Sequence, residues 1–353
     1  MNPTTALHDL GQSLWLDNIT RTLLDDGTLA RYIRDYAVTG LTSNPSIFEK
    51  ALAHGDAYDV QIQAAPASLG TEDLFSQLAL ADLARAADLF RPAHAASGGT
   101  DGWVSMEVSP LLADDAQATV AAAQRLHQQG ARDNLFIKIP GTPAGAKAIE
   151  NAIFAGIPIN VTLLFSPDQY LTAAQAWASG IERRLAAGLS PVVHSVASLF
   201  VSRWDVAVKD KVPAELHNRL GIAIAQATYR GYRELLHSPR WRKLKEAGAP
   251  LQRLLWASTG TKDPAASDVL YIEALAAPET INTIPDKTLA AFAEHGRAHV
   301  ALAADGGDCE HVLGRYRQAG IDLDQLALQL QREGAEAFVT SWKKLMAGIE
   351  AKR

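Results

Sequence analysis

The sequence predicts an α/β protein: a single (β/α)8 TIM-type barrel with extra helices, including a helical C-terminal extension. Three observations point there. Eight short apolar runs of strand length alternate with segments of helical periodicity, and parallel strands need crossover connections of this kind. The count of eight suits a closed barrel, which uses a chain of 353 residues as one domain over 1–353. No Gly-x-Gly-x-x-Gly follows an early strand, which argues against the alternative of an open doubly wound sheet; Gly98-Gly99-Thr100-Asp101-Gly102 precedes a strand and reads as a plain loop.

In chain order, Leu14–Asn18 reads as the first strand and about Thr20–Tyr36 as a helix with Leu23, Leu24, Ala30, Ile33 and Tyr36 at helical spacing. The second strand is Val38–Pro45. Residues 46–90 are mostly helical, with Thr71 and the acidic residues after it marking the start of the stronger half. The third strand is Trp103–Val108, followed by a helix over Asp114–Gln129 that Gly130 closes. The fourth is Asn134–Pro140, where a proline stops the ladder. A helix over Gly141–Ala155 leads to the fifth strand, Pro158–Leu164, and Ser166-Pro167 opens a helix to about Ala187. Pro191–Val196 is expected as the sixth strand, then helix to about Leu236 with a break near Pro213. Arg253–Ser258 is the seventh, a helix over about Ala265–Leu275 follows, and Thr280–Ile284 is the eighth. From Lys287 onward the chain reads as helical apart from Ala304–Asp308, and this extension is expected to cover one side of the barrel mouth.

Composition narrows the function. A hydrophobic fraction of 48% and a charged fraction of 20% describe a globular protein. A net charge of −6 gives no general attraction to nucleic acid or anionic membrane. The single cysteine, Cys309, excludes an internal disulfide and a cysteine metal cluster. The N-terminus lacks a basic segment followed by an apolar core, and no apolar run is long enough for a bilayer, so a cytoplasmic protein without a membrane partner is expected.

The chemistry centres on Lys138, the odd residue in Asn134-Leu-Phe-Ile-Lys-Ile-Pro140. Read alone, it is a strand-end lysine snorkelling to solvent. Strand parity changes the reading. Leu135, Ile137 and Ile139 share one face, leaving Phe136 and Lys138 on the other. Trp15 and Asp17 on the first strand, Ser105 and Glu107 on the third, and Asn160 and Thr162 on the fifth fall on the equivalent polar face. In a closed barrel these faces meet at the C-terminal ends of the strands. A lysine with Asp17, Glu107, Asn44, Asn160 and Thr162 suits Schiff-base carbon–carbon chemistry, with the amine as electron sink and the carboxylates as proton carriers. The alternative is that Asp17 and Glu107 only neutralise a buried Lys138.

Five blocks carry a resemblance. Trp15-Leu-Asp-Asn18, Leu41-Thr-Ser-Asn-Pro-Ser46, Ser105-Met-Glu-Val-Ser-Pro110, Phe136-Ile-Lys-Ile-Pro140 and Gly156-Ile-Pro-Ile-Asn-Val-Thr-Leu-Leu-Phe-Ser166 resemble the transaldolases. The resemblance implies a class I aldolase-type barrel that moves a dihydroxyacetone unit between sugar phosphates, with no metal and no organic cofactor. It implies that Lys138 forms the Schiff base with fructose 6-phosphate or sedoheptulose 7-phosphate, that Asp17 is the base at the C4 hydroxyl, and that Glu107 and Thr162 hold the catalytic water. Asn44 and Asn160 would bind substrate hydroxyls. Ser198, Phe200 and Arg203 match the block that lines the phosphate-proximal pocket, where a guanidinium at a helix start suits a phosphate. After the seventh strand the family often carries an arginine where this chain reads Trp256-Ala-Ser-Thr-Gly-Thr-Lys262, so Lys262 would substitute, with Ser258 and Thr259 as donors. Sugar phosphates are the expected partners, and the chain is expected as a monomer or homodimer.

Other signals carry less. His295 and His299 have metal-compatible spacing without a third ligand, His194 reads as a core residue of the sixth strand, and the basic run Arg240–Lys245 reads as one solvated helix face. There is no Gly-x-Ser-x-Gly elbow. A Schiff-base aldolase that releases dihydroxyacetone, a non-catalytic sugar-phosphate binder and a metal-dependent barrel hydrolase are the competing functions; the last would need an inward histidine cluster.

Overall fold

The computed structural model describes residues 2–353. Eight parallel strands, β1 (Gln12–Leu16), β2 (Val38–Leu41), β3 (Val104–Glu107), β4 (Leu135–Pro140), β5 (Ile159–Leu164), β6 (Ser195–Phe200), β7 (Gln252–Ala257) and β8 (Thr280–Ile284), run in the order β2-β1-β8-β7-β6-β5-β4-β3, and a parallel bridge between Gly40 and Trp103 closes the ring between β2 and β3. Leu41 N donates to Trp103 O at 2.9 Å and Gly102 N to Thr39 O at 2.8 Å across this seam. Only glycine fits at position 40, because a Cβ there would lie 2.7 Å from the Trp15 indole.

The elements follow in alternation. Helix α1 (Pro3–Asp9) precedes β1 (Gln12–Leu16), and α2 (Arg21–Asp25) and α3 (Thr28–Tyr36) lead to β2 (Val38–Leu41). Next come α4 (Pro45–Ala53), α5 (Asp59–Gln63), α6 (Thr71–Ala96), β3 (Val104–Glu107), α7 (Ala116–Gly130) and β4 (Leu135–Pro140). Then α8 (Pro143–Phe154), β5 (Ile159–Leu164), α9 (Pro167–Ala186) and β6 (Ser195–Phe200) follow. The next are α10 (Ser202–Val208), α11 (Leu220–Leu236), α12 (Pro239–Glu246) and β7 (Gln252–Ala257). The chain ends with α13 (Leu270–Ala274), β8 (Thr280–Ile284), α14 (Asp286–His295), α15 (Cys309–Gln318) and α16 (Leu323–Lys352). Many helices start with the same device: Asn2, Asn44, Thr142, Ser166 and Ser238 each cap a helix whose next residue is proline. The side chain satisfies an orphan backbone N–H while the proline supplies the first helical φ.

The structure corrects several boundaries. The sixth strand is Ser195–Phe200, not Pro191–Val196; Pro191 cannot donate to a ladder, and Ser195 begins the run that pairs residue by residue with Gln252–Ala257. His194 therefore precedes the strand instead of lying on it. The helix expected over Thr20–Tyr36 is two helices, because Asp26-Gly27 turns the chain with Gly27 at φ 73°. The helix expected over Ala265–Leu275 shortens to Leu270–Ala274, since Asp263, Ala266 and Ser267 make turn bonds instead. Helix α1 was not anticipated. On β5 the alternation breaks at Leu163, which takes φ 59°, and the pairing with β6 shifts there.

The glycine-rich loop before β3 is more than a connection. It holds Asp101, which accepts from Trp15 Nε1 at 2.7 Å and Thr39 Oγ1 at 2.8 Å and from the Ser13 hydroxyl. Arg253 joins from β7, donating Nη2 to Ser13 Oγ at 2.7 Å and to Thr280 O at 2.8 Å. This network, with Trp103 stacked on Phe136 at 4.0 Å, fills the N-terminal end of the barrel. The other end lies under α16. Gln331 Nε2 donates to Gly141 O at 3.1 Å and Leu163 O at 2.9 Å, and Ser341 meets Ser46 at 2.7 Å. The extension thus spans the C-terminal mouth. Among the described residues no helix is long and apolar enough to cross a membrane.

Candidate active site

Register brings the first three groups together. Glu107 on β3 pairs with Lys138 on β4, and Lys138 with Asn160 on β5, so their inward side chains form a row at the C-terminal ends. Lys138 is 5% exposed. Its Nζ donates to Ser43 O at 2.9 Å and lies 3.4 Å from Glu107 Oε2. Ser43 is itself fixed, because its hydroxyl donates to Ser105 O at 2.6 Å. Asn160 donates Nδ2 to Ser105 Oγ at 3.2 Å and accepts from Ser198 Oγ at 2.8 Å. The amine is therefore held by a carboxylate and a backbone carbonyl.

Asp17 follows β1 and accepts from Thr42 Oγ1 at 2.9 Å, and Thr42 in turn meets Thr283 of β8 at 2.7 Å. Burial pushes the Asp17 carboxyl above its ordinary pKa, while the Lys138 ammonium, the Thr42 hydroxyl and Lys262 pull it back. Burial pushes Glu107 up as well, opposed by Lys138 and reinforced by Asp17. Two carboxyls with raised proton affinity beside one amine can exchange protons with it and with a ligand. Thr162 Oγ1 is a buried oxygen without a hydrogen-bond partner, and the partner of Glu107 Oε2 is the Lys138 ammonium of the ion pair.

Above this floor opens a cavity of about 400 Å³ bounded by Asp17, Lys138, Thr162, Ser198, Phe200 and Arg203, and also by Asn44, Ser258 and Lys262. Asn44 caps α4, accepting from Ile47 N at 3.1 Å, which leaves its Nδ2 for a ligand. Arg203, near the start of α10, sits 5.2 Å from the Phe200 ring centroid, and burial lowers its pKa against the pull of Glu333. Ser258 takes φ 54° and its hydroxyl contacts Ser202 at 3.0 Å. Thr259 does not line the cavity; its hydroxyl donates to Thr283 O at 2.9 Å. Ser198 stands on β6 against Asn160, at the amine end of the cavity and not beside the guanidinium alone.

The site also contains residues the motifs did not single out. Thr42 and Ser46 fall inside the block Leu41–Ser46, which carries a sequence signal. Lys50, one turn further along α4, and Phe338 of α16 line the cavity too; neither sits in a motif, and Phe338 arrives from 200 residues beyond Lys138. The histidines stay outside. His194 lies 5.2 Å from Trp103 at the opposite end of the barrel. His295 ends α14 and pairs with Asp268 at 3.1 Å, so it and His299 do not share a helix face. Among the described residues no cluster of three or more His, Cys, Asp or Glu side chains is arranged around a metal position.

The family model described as Transaldolase/Fructose-6-phosphate aldolase matches residues 14–349. The chain belongs to this family. Relatives in the transaldolase family include "Transaldolase" of Neisseria gonorrhoeae, 42% identical over 96% of this chain and 97% of its own length. "Transaldolase" of Thiobacillus denitrificans is 42% identical over 99% of this chain and all of its own length. "Transaldolase 2" of Nostoc is 38% identical over 100% of this chain and 98% of its own.

Proposed function

We propose that the protein is a transaldolase, which transfers a dihydroxyacetone unit from fructose 6-phosphate or sedoheptulose 7-phosphate to erythrose 4-phosphate or glyceraldehyde 3-phosphate. The observation that carries this reading is Lys138, a buried lysine within 3.4 Å of a carboxylate at the floor of a cavity that opens towards Arg203 and Lys262. Pure sugar-phosphate binding gives no reason for an amine there. In this reading Lys138 passes a proton to Glu107, the freed amine attacks C2 of the ketose, and Glu107, through a water shared with Thr162, returns a proton to the C2 oxygen so that it leaves as water and the iminium forms. The unpartnered Thr162 hydroxyl together with the Glu107 carboxylate beside Lys138 fits such a water, which needs two or more polar partners. Asp17 then takes the C4 hydroxyl proton, the C3–C4 bond breaks, and its electron pair moves into the lysine-bound carbons as an enamine. The aldehyde leaves, an acceptor aldehyde replaces it, and the reverse steps form the new ketose and restore the amine. Asn44, Asn160 and Ser198 hold hydroxyls; Arg203, Lys262 and Ser258 hold the phosphate with Phe200 packed beneath.

Fructose 6-phosphate and erythrose 4-phosphate supplied together test the proposal. Sedoheptulose 7-phosphate and glyceraldehyde 3-phosphate are expected in equal amounts. Stoichiometric release of free dihydroxyacetone would instead identify an aldolase, and no consumption of ketose would leave a binding barrel. We further propose that residues 1–353 act as one domain in the cytoplasm, as a monomer or homodimer, which cell fractionation and light scattering of the purified chain would check.

A further inference from the structure

Helix α16 crosses the mouth of the site with contacts on both sides of it. Towards its start, Gln331 Nε2 donates to the carbonyls of Gly141, just past β4, and Leu163 of β5. At Gly334 the helix backbone comes so near the guanidinium that a Cβ would lie 3.2 Å from Arg203 Nη1. Further along, the Ser341 hydroxyl meets that of Ser46 on α4 at 2.7 Å, and Trp342 packs edge-on to Phe75 of α6 with ring centroids 5.2 Å apart. Gln331, Gly334, Phe338 and Leu345 are buried at spacings of three, four and seven, which places them on one helix face. Gly334 and Ser341 are about 10 Å apart along the helix axis. Phe338 sits between them, over the stretch of the mouth from Arg203 to Ser46. It is 5% exposed, and it is the side chain that α16 contributes to the lining of the cavity around Lys138.

The cavity is otherwise rich in polar groups. Asp17, Asn44, Lys138, Thr162 and Arg203 can each bond a sugar phosphate there, whereas a phenyl ring offers a hydroxyl or phosphate nothing. Its physical effect at that place is to exclude water. Transfer chemistry has one step at which water matters most. When the first aldehyde has left, the enamine on Lys138 waits for an acceptor while the space towards Arg203 is vacated. Water filling that space would relay the proton that Asp17 took from the C4 hydroxyl to C3 of the enamine. The resulting iminium would then add water at C2, the C2–N bond would break, and free dihydroxyacetone would leave the restored amine. We propose that Phe338 is a specificity-determining residue that keeps water from the enamine, so that the three-carbon unit passes to an aldehyde instead of being released. Phe338 acts on an intermediate of the proposed transferase, so its role rests on that reading.

The test is the ratio of dihydroxyacetone to sedoheptulose 7-phosphate that the full chain forms from fructose 6-phosphate and erythrose 4-phosphate. Both products come from the same active molecules, so the ratio does not depend on how much of a variant is folded. Phe338→Ala is expected to raise it about tenfold or more over the wild type, and Phe338→Leu, which keeps much of the volume, about threefold. In both variants the ratio is expected to fall as erythrose 4-phosphate is raised, because acceptor and water compete for one intermediate; a loss of packing alone would not produce that dependence. Should Phe338→Ala give no folded chain, Phe338→Leu decides by the same criteria. A ratio within about twofold of the wild type, or one that ignores the acceptor concentration, overturns the role of Phe338 and leaves the transferase reading standing. Stoichiometric release of dihydroxyacetone by the wild-type chain overturns both.

Discussion

At the scale of single residues, the position of Lys138 follows from the two-residue period of a strand. Because side chains alternate strictly, Glu107, Lys138 and Asn160 could be assigned to the inner face from sequence, and register then sets them side by side. Its partner Ser43 O was not legible, since a backbone carbonyl leaves no mark in the residue pattern. The same limit hid Asp101, whose loop reads as a turn until Ser13, Trp15, Thr39 and Arg253 converge on it. Asp17 carries the prediction at this scale. As the proposed base it acts ionised, and burial raises its pKa, so kcat/KM is expected to fall on acidification with a midpoint above the ordinary aspartate value of about 4. Asp17→Asn is expected to lower kcat by roughly 10²- to 10⁴-fold while still forming the lysine adduct. Unchanged kcat in this variant, measured by a coupled assay for glyceraldehyde 3-phosphate, would remove Asp17 from that role.

At the scale of elements, the strands with a clean apolar face were legible to within a few residues, and β8 matches to the residue. The sixth was displaced because Pro191-Val-Val-His194 offers as good an apolar run as the true strand, and only pairing with β7 decides between them. Helix α11 depends on a group no motif announces. Asp205 of α10 accepts from Leu220 N at 2.8 Å and Gly221 N at 3.2 Å, and Tyr271 OH donates to it at 2.7 Å. Burial raises its pKa to about 6 despite these bonds. Between its unfolded value of about 4 and about 6, the folded chain holds the proton more tightly than the unfolded chain. This contribution to stability is present in full below about pH 4 and is lost as pH rises through about 6. Asp205→Asn removes the titration, so the Tm of the wild type relative to this variant is expected to decline from pH 4 to pH 6.5. Parallel Tm curves would show that Asp205 does not titrate in that window.

At the scale of the whole molecule, the eightfold alternation made the barrel readable, while closure over the mouth was legible only as an expectation for the C-terminal helices. Helix α16 carries no motif, and its relation to the site rests on contacts nearly 200 residues apart in sequence. Gly334 shows how close that approach is: a Cβ there would lie 2.9 Å from Leu163 Cδ2 and 3.2 Å from Arg203 Nη1. Gly334→Val is therefore expected to displace the guanidinium, raising KM for fructose 6-phosphate roughly tenfold, or about 1.4 kcal/mol, with kcat changed less than about twofold. Equal losses in both constants would place Arg203 in the chemical step instead of phosphate binding.

The account stands on Lys138 as the covalent anchor of the ketose. Borohydride reduction in the presence of fructose 6-phosphate, followed by mass mapping, measures this most directly. A three-carbon or six-carbon adduct on the peptide carrying Lys138, absent in Lys138→Ala together with turnover, is the predicted result; an adduct on another lysine, or turnover retained in Lys138→Ala, would contradict it.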